Sequence, residues 1–365
     1  MNFQDFTKTI QEQIKDYLPK QYEDAEVGII TTEKNNGLVL TGLGIRNEDE
    51  NVSPCIYLNG YYEELQAGKE MDNILKDIAA CRVENAVIEK MDVNDLTTFE
   101  KVKDKITFKV IGTESNEMRL SQMPHRTEND MALIYQITVH MDSAGQGNIP
   151  ITNSLMEVLG VNEEILHDLA LENTMREMPA SFRSMKDVMR EMFVGNISMI
   201  QEDDEMQDFL NEMLSDDSEI SDDEMQMYVL SNSEKLNGAA ALFYPGIKEQ
   251  IAEQLDNDFF LLPSSIHETL IIPDNGMADE KSLQNMVQEV NATEVAPDEV
   301  LTGNVYFYDK ESKVFSLAKD REVRKAEQKE EKPSIMNKLK ESKDKVAENI
   351  EHRTPASNKA LVPEM

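Results

Sequence analysis

The stretch "FFLLPSSIHETLIIPDNG", residues 259 to 276, places Ser264, Ser265, His267 and Glu268 between two apolar runs. A serine beside a histidine is the raw material of nucleophilic catalysis, with the imidazole taking the hydroxyl proton and a carboxylate orienting the imidazole. Ser265, His267 and Asp274 are therefore the catalytic candidates of this chain, for a hydrolase. The spacing works against them. If 265 to 269 is extended, Ser265 and His267 share a face with Cα atoms roughly 6.6 Å apart, whereas a nucleophile–base hydrogen bond spans about 2.6–3.2 Å. Glu268 then points the other way, and no Gly-x-Ser-x-Gly elbow is present to expose a nucleophile. The competing reading is a turn: Pro263 ends one strand, the serines satisfy backbone groups, and His267 leads into the next strand.

Other chemistry-bearing patterns fall short of a site. "TGLGIRN" supplies Gly42 and Gly44 without the third glycine of a dinucleotide fingerprint, and it sits in a hairpin, not between a strand and a helix. No Walker A sequence and no His-Glu-x-x-His occurs. His125, His140, His167 and His352 lack metal-ligand spacing, and His167-Asp168 reads as a surface pair on a helix. "DDSEISDDE" has no glycine at the position an EF-hand loop requires. No cofactor or metal site is expected.

Charge narrows the function further. The chain has 365 residues and a formal net charge of −35. From Lys319 to Met365, 12 Lys+Arg stand against 10 Asp+Glu, which leaves −37 for residues 1–318. Binding nucleic acid or anionic lipid requires Lys and Arg to replace counterions, so the body is not expected to bind either directly. An acidic body is suited to a basic protein partner, and one variant is imitation of nucleic acid. Only Cys55 and Cys81 are present, no secretory leader or membrane-length apolar run is seen, and the expected setting is a reducing cytoplasm.

The elements that would position these residues alternate irregularly. Phe3, Phe6, Ile10, Ile14 and Leu18 mark an amphipathic helix, and "AEVGIITTEKNNGLVLTGLGI" a β-hairpin turning at Asn35-Asn36-Gly37. "CIYLN" predicts a strand and 61–84 a helix; "KITFKVIG", "MALIYQITVHM" and "GQGNIPIT" predict strands, followed by helices at "NSLMEVLG" and "NEEILHDLALENTM". A further helix is predicted through "SFRSMKDVMREMF", where Phe182, Met185, Met189 and Met192 form a stripe suited to a core. Beyond it lie strand "MYVLS", a small-residue helix over 239–244, helix "IKEQIAEQLD", helix "EKSLQNMVQEV" and hairpin "NVYFYDKESKVFSLA". The pattern predicts α+β with two mixed helix/strand domains, 1–200 and 226–318. Segment 201–225, with twelve acidic residues and no basic one, reads as a connector between them. Residues 319–365 form a charged C-terminal tail, disordered or partly helical, with Ile335, Leu339, Val346 and Ile350 on one helical face.

Three longer segments carry a likeness that no short motif does: "IPITNSLMEVLGVNEEILHDLALENT", "MYVLSNSEKLNGAAALFYPGIKEQIAEQLDNDFFLLPSSIHETLIIPD" and "MVQEVNATEVAPDEVLTGNVYFYD". They resemble domain of unknown function 5688, a family of uncharacterised proteins from anaerobic Gram-positive bacteria, over roughly residues 50 to 315. The resemblance implies a bacterial cytoplasmic accessory protein and carries no activity, ligand or catalytic residue with it. The leading expectation is a non-enzymatic accessory or protein-interaction protein, with another protein as its partner. The hydrolase at Ser265 and His267 and the acidic nucleic-acid mimic are the alternatives.

Overall fold

The computed structural model describes residues 1–48, 50, 53–85, 93–141, 145–195, 225–263 and 265–321. The acidic segment apart from Met225, and the tail after Arg321, lie outside the described residues, and with them the expected connector, the calcium-like run and the apolar stripe of the tail.

The chain opens with helix α1 (Phe3–Gln13), started by Asn2, whose side chain accepts a hydrogen bond from the Asp5 N–H at 2.8 Å. Strands β1 (Glu26–Glu33), β2 (Val39–Arg46) and β3 (Cys55–Tyr57) form an antiparallel sheet in that order. The predicted hairpin turns where Asn36 and Gly37 take positive φ of 58° and 69°, conformations asparagine and glycine tolerate best. Gly68, at φ 102°, breaks the single helix expected over 61–84 into α2 (Asn59–Gln66) and α3 (Met71–Glu84). Phe6, Ile10, Leu43, Ile45, Ile74 and Ile78 close a core between α1, α3 and one face of the sheet.

Short helices α4 (Val93–Leu96) and α5 (Phe99–Val102) lead into a second antiparallel sheet. Its strands are β4 (Ile106–Gly112), β5 (His125–Glu128), β6 (Met131–Met141) and β7 (Gly145–Pro150), with α6 (Glu117–Ser121) between β4 and β5. β4 lies on one side of β6; β5 and β7 share the other. Helices α7 (Asn153–Leu159) and α8 (Glu163–Glu177) follow.

The third sheet has six antiparallel strands: β8 (Ala180–Ser184), β9 (Tyr228–Asn232), β10 (Phe259–Leu262), β11 (Thr269–Pro273), β12 (Tyr306–Asp309) and β13 (Val314–Leu317), in the order β13-β12-β10-β11-β9-β8. Helix α9 (Met185–Gly195) follows β8, α10 (Ile247–Leu255) precedes β10 and α11 (Glu280–Thr293) precedes β12. The fold is α+β, as expected. β8 and β9 pair although they lie on opposite sides of the acidic segment.

Phe108, Tyr135 and Ile137 from the second sheet meet Phe259, Leu261 and Tyr306 from the third in one apolar core. Ala239, Ala240 and Ala241 are buried in the same core. The small-residue helix expected over 239–244 is a 3-10 helix, Gly238–Phe243. A Cβ on Gly238 would lie 2.3 Å from the His267 carbonyl oxygen, so only glycine lets the two chains come this close. α11 covers the far face of the third sheet with Leu283 and Val287.

The helix expected through 181–193 is divided between β8 and α9. Phe182 therefore leaves the methionine stripe and stacks on Tyr228 at 5.1 Å, and Met192 is 62% exposed. The four residues do not form one buried helical face.

Candidate functional site

The link between β10 and β11 holds Ser265 and His267, and each is already engaged. The Ser265 hydroxyl oxygen accepts a hydrogen bond from the His267 backbone N–H at 3.0 Å, while the Ser265 N–H donates to the Glu268 carbonyl at 3.2 Å. On the imidazole, Nδ1 accepts from the Asn237 backbone N–H at 3.0 Å. The ring proton of the neutral form therefore belongs on Nε2, which faces Glu299 Oε1 at 3.4 Å. The single unprotonated nitrogen is spent on a backbone donor, and the seryl oxygen is spent on another. Ser264 lies outside the described residues.

Asp274 lies just past the opposite end of β11 from His267. Seven extended residues span roughly 20 Å, so Asp274 does not reach the imidazole. Its carboxylate instead accepts from the guanidinium of Arg321, which lies over the Phe307 ring at 4.1 Å. Glu299 is the carboxylate at His267, and it comes from the loop after α11 with no local sequence signal. Tyr244, just after the Gly238–Phe243 stretch, donates its hydroxyl to the Met178 carbonyl at 2.7 Å and is buried against Phe108.

A second cluster joins β5, β6 and α8. The Tyr135 hydroxyl donates to Glu163 Oε1 at 2.5 Å, Arg126 Nε donates to the same oxygen at 2.9 Å, and His167 Nδ1 stands 3.3 Å from the phenol oxygen. Glu163 and His167 are one helical turn apart on α8 and share a face. Burial, then the Arg126 charge, hold His167 below its ordinary pKa, while burial and Glu163 push Tyr135 up. His167 thus points toward Tyr135, while Asp168 is exposed, and the surface pair expected from the sequence is not formed. The arrangement is an imidazole held below its ordinary pKa beside a phenol that donates a hydrogen bond to a carboxylate.

A third feature belongs to the backbone. β1 is an edge strand of eight residues. Gln11 Nε2 donates to the Val27 carbonyl at 3.3 Å from the side away from β2. Main-chain groups of an antiparallel strand face its neighbour at alternate residues, so Ile29, Thr31 and Glu33 turn their N–H and C=O groups to the same outer side as Val27. Among the described residues no backbone group pairs with them. Ile29 and Ile30, on opposite faces of the strand, are 37% and 46% exposed. An open groove of about 1140 Å³ runs beside the strand, and Gln11, Glu12, Asp24, Glu26, Gly28 and Ile30 are among its lining residues. Neither the edge nor the groove was singled out from the sequence; the eight-residue strand with two adjacent isoleucines was the available signal.

Among the described residues no group of three or more His, Cys, Asp or Glu is arranged to hold a metal ion, and no helix is long and apolar enough to cross a membrane. The three antiparallel sheets and their helices define a mixed α+β protein with an exposed sheet edge. The chain belongs to the Family of unknown function (DUF5688), whose family model matches residues 3–310. The match starts well before residue 50, where the likeness read from the sequence began, and it runs through the acidic segment. No curated protein and no solved structure matches the chain.

Proposed function

We propose that the chain is a non-enzymatic interaction protein that takes an extended, basic segment of another protein by strand addition along β1. The free outer side of β1 is the observation that carries this reading. Strand addition draws its affinity from main-chain hydrogen bonds and its specificity from pockets for alternate side chains. β1 offers the first at Ile29 and Thr31, and the groove beside Gly28 and Ile30 offers the second. Natural sheets blunt such edges with proline, bulges or inward charges. β1 has none of these between Val27 and Thr32.

Charge selects the sign of the partner. Glu12, Asp24 and Glu26 line the groove against Lys15 and Arg46, and Arg46 pairs with Glu26, so it is the net of −37 over residues 1–318 that draws basic segments toward it. The same charge opposes nucleic acid as a direct ligand. A reducing cytoplasm suits the two free cysteines, Cys55 and Cys81.

The test uses the full chain and two synthetic octapeptides, alternating Lys-Val and alternating Glu-Val, followed by fluorescence anisotropy. The basic peptide binds, binding weakens as salt is raised, and the acidic peptide does not bind. Thr31→Pro removes an outward N–H that the sheet does not use, so it lowers affinity by about tenfold or more, the loss of one or two hydrogen bonds. Equal binding of both peptides, or unchanged affinity in the Thr31→Pro chain, overturns the reading.

A further inference from the structure

We infer that Lys34, Lys109 and Arg119 form a binding site for a small oxyanion, carried on a phosphate or a carboxylate group. The site lies between the N-terminal sheet and the second sheet, at the far end of β1 from the groove, and it stands independently of the strand-addition reading.

Lys109 occupies the middle of β4, opposite Ile134, on the face turned away from the main core. Thr107 and Ile111 share that face by alternation; Ile111 packs there with Leu120 and Ile134. α6 carries Arg119 just beyond the corner at the end of β4. Lys34 opens the β1–β2 turn, with its amine 4.4 Å from the centre of the Tyr57 ring. The turn is fastened to the corner through Asn36 and Asn116, which bond reciprocally at 3.0 and 2.9 Å. The fastening brings Lys34 and Arg119 near enough to Lys109 for their charges to act on its amine.

Their pairing is what sets them apart. Lys109 and Arg119 are both half-buried, and among the described residues neither side chain makes a hydrogen bond or an ion pair. Each of the other described arginines, 46, 82, 126, 176, 183, 190 and 321, has a carboxylate within ion-pair distance. The chain has 71 acidic residues against 36 basic ones, so counter-charges are abundant. The acidic groups that act on this cluster are Glu33, toward Arg119, and Asp298, toward Lys109, and neither comes within ion-pair distance. A desolvated cation without a partner is costly to keep. Burial first, then repulsion from Arg119 and Lys34, lower the Lys109 amine to about 8.

A bound oxyanion supplies the missing counter-charge. The guanidinium of Arg119 offers the planar pair of N–H donors that matches a phosphate or carboxylate edge, and the two lysines add point charges around it. Three cations against Asp298 and Glu33 leave the cluster with a net positive charge, which favours an anion.

The experiment takes the full chain in pyrophosphate, in citrate, and in potassium chloride of equal ionic strength. It measures thermal unfolding and the rate of acylation of the Lys109 amine near pH 8. In pyrophosphate or citrate the melting temperature rises by a few degrees, as ligand linkage requires, and Lys109 acylation slows by about tenfold as the amine is held protonated. The rise is lost in Lys109→Met and Arg119→Gln. Protection by pyrophosphate alone assigns a phosphate ligand, and protection by citrate alone a carboxylate. A rise reproduced by potassium chloride, a rise kept in both variants, or Lys109 acylation unchanged by either anion overturns the site. Should both variants fail to fold, the acylation of the unaltered chain decides.

Discussion

Asn36 and Asn116 hold each other twice: the Asn36 backbone N–H donates to Asn116 Oδ1 at 3.0 Å, and Asn116 Nδ2 donates to Asn36 Oδ1 at 2.9 Å. Asn116 Nδ2 also donates to the Gly112 carbonyl at 2.9 Å, and Asn36 Nδ2 donates to the carbonyls of Pro297 and Val300 at 2.9 and 2.7 Å. One turn of the first sheet is thereby tied to the end of the second sheet and to the loop after α11. Asn116 is 3% exposed, so water does not replace the lost bonds. Asn116→Ala leaves buried groups unpaired and lowers stability by about 1–3 kcal/mol. Amide exchange speeds up first at residues 34–38, before the rest of β1 and β2. Uniform acceleration across the whole chain would show that this clasp is not a separate joint.

Asp130 predicts a dependence on acid. Burial pushes its carboxyl up, but hydrogen bonds from Thr302, Tyr306 and Asn304 outweigh burial and hold it below the ordinary carboxylate value. Its folded pKa is below the unfolded one. The stabilisation is therefore present above about pH 4 and is lost as the pH falls through the folded pKa. Asp130→Asn turns an amide donor toward donors and lowers stability near neutrality by about 1–3 kcal/mol. Urea unfolding of both chains between pH 7 and pH 3 checks this: the difference narrows as the pH falls. A constant difference would mean that the carboxylate charge is not the cause.

The Ser265 and His267 geometry predicts a structural effect without a catalytic one. Ser265→Ala removes one acceptor for the His267 N–H and lowers stability by about 0.5–1.5 kcal/mol. His267→Gln removes the acceptor for the Asn237 N–H and the group facing Glu299. Labelling with a serine-reactive fluorophosphonate gives the same trace for the parent chain and both variants. Labelling of the parent that disappears in either variant would restore the hydrolase reading.

Local pattern was enough for most of the architecture. The 26–46 hairpin, β4, β6 and the helices after β7 all follow from alternation or three- and four-residue spacing in the sequence. β8 did not, because Phe182 continues the apolar spacing of α9, and only pairing with β9, across the acidic segment, makes 180–184 a strand. Long-range pairing overrides a local period in this way. The sites were less legible for the same reason. His267 could be named, but its partners Asn237 and Glu299 come from two other segments. Lys109 stands in a run that reads as an ordinary strand, and its isolation appears only when Arg119 and Lys34 are brought beside it.

Arg82 gives the sharpest test of the first sheet's packing. It is fully buried and makes three bonds: Nε to the Ile45 carbonyl at 2.9 Å, one terminal nitrogen to the Tyr22 hydroxyl at 3.1 Å, and the other to Glu50 Oε2 at 2.5 Å. Glu50 Oε2 also accepts from the Asn47 N–H at 3.0 Å, so Arg82 fastens the segment after β2 onto α3. Arg82→Met fills much of the same space with an apolar chain but leaves the Ile45 carbonyl and the Glu50 carboxylate without their donor. Breaking one side of a buried pair costs about 3–5 kcal/mol, a large part of the stability of a domain this size. Arg82→Lys keeps the charge and loses the fork, because one ammonium cannot reach three acceptors set at the angles of a guanidinium. Its loss is smaller than that of Arg82→Met, and both are read from urea unfolding followed by circular dichroism. If instead Arg82→Met matches the parent, the three bonds do no more than repay the burial of the charge. The role of Arg82 would then be to fix where the segment after β2 lies, and increased amide exchange at residues 46–50 in the Arg82→Met chain would report it.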